Sequence, residues 1–182
     1  FKKAGADADL AHINQLIQKE KDLKDYQILA IPGGFTYGDD IGAGKILANE
    51  LRYKLLDDIK RFVDTGKLII GICDGFQVLV KSGLLAGNDD LRQEASLIIN
   101  DSGKFEDRWV YLKSPQSLPV RQAGTMSISP QCVWTINLPE IIYLPVAHGE
   151  GKFITKDNAA LERLRKNKQI AFQYCDEEGR YA

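Results

Sequence analysis

The segment Gly71-Ile72-Cys73-Asp74-Gly75 sets a nucleophilic thiol between two glycines, each two positions away. An uninterrupted apolar run, Leu68 to Ile72, leads into it, and a helical pattern through Phe76, Val78, Leu79 and Val80 follows, ending at Ser82-Gly83. That order describes a strand turning sharply into a helix with the thiol on the turn, a nucleophile elbow with cysteine where many hydrolases carry serine. Side chains two residues before or after the nucleophile would collide across so tight a turn, which is the physical reason for glycine there. A thiol at a helix N-terminus also lies near unpaired N–H groups and about half a positive charge, which favours the thiolate. The same N–H groups can receive a tetrahedral oxyanion, with the amide of Asp74 as first donor.

A second glycine bend, Pro32-Gly33-Gly34, ends another short apolar run, Gln27 to Ile31. In an open parallel sheet both bends lie at the carboxyl edge, where ligands bind, so the second oxyanion donor is expected from this turn. A blander reading makes Cys73 a small buried hydrophobe whose glycines only ease packing. Two independent glycine-rich strand ends weigh against it.

Of the two histidines, His12 sits in an apolar-patterned segment and reads as structural. His148, in Ala147-His148-Gly149-Glu150-Gly151, follows the apolar run Ile141 to Val146. Three roles stay open for it: general base to Cys73 with Glu150 as third member, lining of a pocket, or shaping of the turn. The three cysteines are odd in number and far apart, so at least one is a free thiol and neither a zinc site nor a disulfide framework is indicated. Cys132 and Cys175 lack the setting of Cys73 and read as packing or surface thiols.

The elements that must position these residues follow from periodicity. Asp7 to Ile17 reads as a short strand running into a helix, and the charged stretch Lys19 to Asp25 as a solvated helix end. Leu47, Leu51, Leu55 and Ile59 recur every four residues, with Phe62 and Val63 continuing the face and charged residues opposite, which predicts one long amphipathic helix stopped at Gly66. Further strands are expected at Ala95 to Ile99, Trp109 to Leu112, Thr125 to Ile128 and Ile141 to Val146, some antiparallel, then a helix at Asn158 to Arg165 and a strand at Gln169 to Tyr174. The fold class is α/β: an open, mostly parallel sheet with helices on both faces and some antiparallel strands.

The 182 residues, 44% of them hydrophobic, suit one compact domain, and no repeat or linker-like tract divides them. The 24 basic and 25 acidic side chains nearly cancel, so no long-range field favours nucleic acid or an anionic membrane. No apolar run approaches the roughly 18 to 20 residues needed to cross a bilayer, and no secretory signal pattern opens the chain. A cytoplasmic protein is expected. The chain opens at Phe1 rather than Met, which suggests a fragment.

On the stretches Ile31 to Asp39, Gly42-Ala43-Gly44, Gly71 to Leu79, Ser82 to Leu85, Phe105 to Val110 and Pro145 to Gly151, the chain resembles the glutaminase subunits and domains of phosphoribosylformylglycinamidine synthase, which are class I glutamine amidotransferases of flavodoxin-like fold. The resemblance implies that Cys73 attacks the glutamine carboxamide, giving a thioester and ammonia, with Gly34 and Asp74 furnishing oxyanion amides. It places Gly33, Gln77, His148 and Gly149 around the bound glutamine. It implies no cofactor in this domain, and a synthetase subunit or domain as partner that uses ATP and magnesium to make the amidine of formylglycinamide ribonucleotide. The family usually has asparagine where Asp74 stands; the backbone N–H is the expected participant, so the oxyanion role survives the change. Its catalytic histidine and glutamate lie in a His-Pro-Glu segment expected beyond Ala182, and its first strand is expected ahead of Phe1. His148 is therefore not assigned the role of base. Two rivals stand beside this reading: a cysteine-elbow hydrolase of the PfpI type, which does not call for Gln77 or the Phe105 to Val110 stretch, and a non-catalytic docking subunit that keeps the fold.

Overall fold

The two apolar runs that end in glycine form strands β1 (Ile28–Ile31) and β2 (Leu68–Gly71), paired in parallel from Ile28↔Leu68 to Ile31↔Gly71. The computed structural model describes residues 1–35, 42, 44–88, 90–114 and 132–181, so the strand expected at Thr125 to Ile128 lies outside the described residues. Contacts along the chain group it into two compact units, Phe1–Gln93 and Glu94–Ala182, where the sequence reading took one domain. No proline- or glycine-rich stretch announces that boundary, which falls between Gln93 and Glu94.

In the first unit, helix α1 (Ile13–Ile17) is capped by His12, and α2 (Lys45–Lys54), α3 (Leu56–Asp64) and α4 (Asp74–Ser82) follow. The expected single helix is thus two, broken at Leu55, whose N–H closes on Leu51 while its carbonyl opens α3 by accepting from Ile59. A strict four-residue ladder walks about 40° around a helix at each step, so one straight helix would turn Ile59 away from the side that holds Leu47. The break returns Ile59 and Phe62 to the core shared by Leu16, Leu23, Ile31, Leu51, Leu55, Val78 and Leu79. Asp57 and Asp58 in the first turn of α3 and Arg61 in the last complement the helix dipole, and Gly66, in the left-handed region at φ 78°, follows its end.

No strand precedes α1; residues 7–12 run irregularly to the cap, because the His12 ring accepts from the Asn14 N–H and diverts that segment from pairing. The charged stretch from Lys19 ends in a single 3-10 turn, Leu23–Asp25, that buries Leu23. The two strands also differ from the buried runs expected: along β1 and β2 only Ile31 is buried, since the pair has just two strands among the described residues and keeps open edges.

The second unit contains β3 (Ala95–Ile98), β4 (Glu106–Lys113), β5 (Ile141–His148), β6 (Lys152–Thr155), α5 (Asn158–Lys166) and β7 (Gln173–Cys175). β3 pairs with β6, and β4 lies between β5 and β7, all antiparallel. Three of the four described pairings are therefore antiparallel, and the expectation of a mostly parallel sheet does not hold among the described residues. Alternation predicted strands here without predicting partners: in β4, Val110 is buried while Trp109 and Tyr111 share the other face and both stack on Tyr143 of β5. β6 was missed in the sequence, and the last strand is shorter than Gln169 to Tyr174.

Candidate active site

Parallel pairing of β1 with β2 brings both glycine bends to one rim. The Ile72 N–H still bonds the Ile31 carbonyl at 3.0 Å, after which the chain leaves β2 at Cys73, just as it leaves β1 at Pro32. Cys73 is exposed, with φ 55° and ψ −114°, a combination L-residues rarely adopt and one that costs about 1–3 kcal/mol. The turn persists because its neighbours permit nothing else. A Cβ at Gly71 would lie 2.5 Å from the Gly75 carbonyl oxygen and 2.7 Å from the Leu79 side chain, and a Cβ at Gly75 would overlap the Ile31 carbonyl.

Gly33 comes directly against the nucleophile: a Cβ there would be 3.0 Å from the Cβ of Cys73 and 3.8 Å from its sulfur. Gly34 has φ 145°, and no atom of the described residues lies within 4 Å of where its Cβ would be, so glycine is demanded at this position by backbone conformation. Asp74, only 2% exposed, begins α4, where a carboxylate suits the positive end of the helix. Gly44, with φ 68°, closes over it: a Cβ would sit 3.1 Å from Asp74 Oδ1 and 3.0 Å from the Val78 nitrogen. Gly42 similarly approaches the ammonium of Lys81, its would-be Cβ 3.4 Å from Nζ. Gly42 and Gly44 thus pack on α4, a role that pattern reading did not assign. Between the two bends, Thr36, Tyr37, Gly38 and Asp39 lie outside the described residues, as does Ala43.

The Cys73 carbonyl accepts from the N–H groups of Phe76 (3.0 Å) and Gln77 (3.3 Å), so Gln77 sits one turn along the helix from the thiol and on its side. It is partly buried and engaged in contacts of its own. The structure therefore brings Cys73, Gly33, Gly34, Asp74 and Gln77 together within the first unit.

His148 and Gly149 belong to the second unit. His148 ends β5 opposite Glu106 of β4, and its Nδ1 lies 3.0 Å from Oδ1 of Asn100. Gly149 supplies a carbonyl to the Asn100 N–H at 3.0 Å. Asn100 is buried and was missed by sequence reasoning; it follows an apolar run as loop asparagines commonly do, and only its tertiary neighbours distinguish it. Across the ladder, the Ser102 hydroxyl, then the Arg108 guanidinium, hold the Glu106 carboxyl below its ordinary range, and the His148 ring adds to this.

Cys132 is exposed, Cys175 is partly buried on β7, and both are free thiols without an elbow. Among the described residues no group of three or more His, Cys, Asp or Glu side chains could hold a metal ion, and no helix is long and apolar enough to cross a membrane. An accessible thiol at a helix N-terminus, beside a glycine bend that admits close backbone approach, is suited to attack on a carbonyl carbon with N–H stabilisation of the oxyanion.

The profile of the CobB/CobQ-like glutamine amidotransferase domain matches residues 1–182. The chain is 44% identical over 181 residues to the phosphoribosylformylglycinamidine synthase subunit PurQ of Methanococcus maripaludis strain C7, covering 98% of this chain and 61% of that protein. It is 44% identical over 180 residues to the PurQ subunit of Dehalococcoides mccartyi, covering 99% of this chain and 64% of that one, and 38% identical over 197 residues to that of Archaeoglobus fulgidus, covering 100% and 68%. The chain thus spans about six-tenths of the length of the first curated relatives it matches. Among solved structures it is similar to PurLQS from Thermotoga maritima, with a TM-score of 0.56 and 28% identity over 90% of this chain and 64% of that one.

Proposed function

Because the chain belongs to the CobB/CobQ-like glutamine amidotransferase domain family, we propose that it is the glutamine-hydrolysing part of a phosphoribosylformylglycinamidine synthase. The Cys73 thiolate attacks the side-chain carboxamide carbon of glutamine, and the carbonyl oxygen becomes an oxyanion held by the backbone N–H groups of Gly34 and Asp74. Collapse of the tetrahedral species breaks the C–N bond, the nitrogen takes a proton and leaves as ammonia, and a thioester remains on Cys73. Water then cleaves the thioester to glutamate and regenerates the thiol. A general base takes the proton of the thiol and returns it to the leaving nitrogen. Gln77 borders the glutamine, and Gly33 keeps the approach to the sulfur clear.

The ammonia is consumed by a synthetase partner that converts formylglycinamide ribonucleotide to its amidine in purine biosynthesis. This domain itself uses no cofactor in that scheme, ATP and magnesium serving the partner. The two compact units are taken as parts of one amidotransferase domain in a cytoplasmic enzyme, with β1 and β2 as members of an open, flavodoxin-like parallel sheet. What carries the reading is a single observation: the exposed Cys73 at φ 55° on a glycine-bounded elbow, at the same strand ends as the Gly33-Gly34 bend.

The test is mass spectrometry of the full-length protein after treatment with a glutamine-analogue electrophile. Labelling at Cys73 alone is expected. Equal labelling of Cys132 and Cys175, or none at all, favours the docking-subunit rival, and esterase activity without glutamine turnover favours the other hydrolase.

A further inference from the structure

An exposed thiol and a buried carboxylate share the N-terminal turn of α4. Cys73 caps the helix and Asp74 is its first residue, yet the thiol is open to solvent while Asp74 is 2% exposed and its Oδ1 is shut off from water. Backbone covers the carboxylate: a Cβ at Gly44 would lie 3.1 Å from Oδ1. The other buried charge of α4, Lys81, belongs to its last turn, about 10 Å of helix rise further along.

Two opposing fields therefore meet at the thiol. The open end of a helix amounts to about half a positive charge, which draws anions. A carboxylate one residue away is a full negative charge, and burial weakens the screening that water would give it. The carboxylate outweighs the helix end, so the approach to Cys73 carries negative potential. The same elbow with a neutral residue after the thiol would carry the reverse.

We propose that Asp74 is a specificity-determining residue, whose carboxylate makes Cys73 select neutral electrophiles over anionic ones. An uncharged group such as a carboxamide is admitted to the sulfur, and a carboxylate in the same place is repelled. One further consequence rests on the glutaminase reading. Hydrolysis of the thioester turns a neutral amide substrate into a product that is anionic at the same carbon, and the like charge of Asp74 drives that product out.

The experiment uses iodoacetamide and iodoacetate, which match in shape and differ in charge. With either reagent the thiolate displaces iodide from the CH2 carbon, forming a C–S bond as C–I breaks, and the two adducts differ in mass. Full-length protein is treated with an equimolar mixture at about pH 8, far above the ordinary carboxylate range. Peptide mass spectrometry reads the carbamidomethyl-to-carboxymethyl ratio at Cys73, with the exposed Cys132 as internal reference for the reagents' own difference. The ratio at Cys73 is expected to exceed that at Cys132, and Asp74→Asn, nearly equal in size, to lower it about tenfold, below the Cys132 value. Added salt should narrow the wild-type discrimination, a readout that needs no variant and that a steric preference would not give. In glutamine hydrolysis by the holoenzyme, glutamate should inhibit Asp74→Asn about tenfold more strongly than the wild type. The proposal is overturned by a wild-type ratio at Cys73 no higher than at Cys132, or by a ratio that neither salt nor Asp74→Asn changes. A changed ratio beside unchanged inhibition by glutamate overturns the expulsion of product. Absence of glutamine turnover in the wild type refutes the assigned function instead, while the adduct ratios still decide the role of Asp74.

Discussion

Gly75, in the first turn of α4, lies so close to the Ile31 carbonyl of β1 that an added Cβ would overlap it. The helix that carries the nucleophile on its N-terminal side is in this way seated directly on the strand that leads into the Gly33-Gly34 bend. The relative position of thiol and bend is thereby set by backbone contact, without side chains whose rotamers could vary.

Gly75→Ala has nowhere to put its methyl group short of lifting α4 from β1. Chemical denaturation should show a loss of about 3 kcal/mol, the upper part of the range for overpacking against atoms that cannot move aside. A loss under 0.5 kcal/mol would mean that the helix shifts freely on the strand.

Substitution of Cys73 separates chemistry from strain. Cys73→Ala should abolish glutamine-dependent synthesis by the holoenzyme while synthesis from added ammonia survives. Alanine keeps the penalty at φ 55°, and glycine relieves it, so Cys73→Gly should be equally inactive with glutamine but about 1 kcal/mol more stable than Cys73→Ala. Retained glutamine turnover in either variant removes Cys73 from its role.

At Gly34 the demand for glycine is one of backbone conformation, φ 145°. Gly34→Val must abandon φ 145°, turning its N–H away from where the oxyanion forms, and kcat should fall about 100-fold with only a modest change in Tm. Normal turnover in that variant would place the second donor elsewhere.

Lys19 forms an ion pair with Asp58, Arg61 forms another, and together they hold the Asp58 carboxyl below its ordinary value of 3.8 against the opposing effect of partial burial. A carboxyl lowered in the folded state stabilises the fold fully above its unfolded value, and the contribution disappears as pH falls through the lower folded value. Asp58→Asn should therefore flatten the loss of stability below about pH 4 while leaving the trend above pH 5 unchanged. Urea unfolding across that range decides it. Because Lys19 and Arg61 are largely exposed, added salt should shrink the difference.

Local sequence sufficed for the elbow. Gly71, Cys73 and Gly75 between an apolar run and a helical pattern already specify a strained turn, because the steric limits that force it act over two or three residues. The Gly33-Gly34 bend, the caps at Gly66 and Gly83 and most element positions were legible for the same reason. The break at Leu55 was not: its four-residue ladder is continuous in sequence, and only the shape of the core it meets requires the bend. Among the described residues three of the four strand pairings are antiparallel, which alternation could not foretell, because it tells which face of a strand is apolar and says nothing of its neighbour. Least legible was Asn100, whose partners at residues 148 to 151 lie some fifty positions away. A buried amide acquires meaning only when the fold delivers the carbonyls, the N–H and the ring it must satisfy, and those contacts exist nowhere but in the tertiary structure.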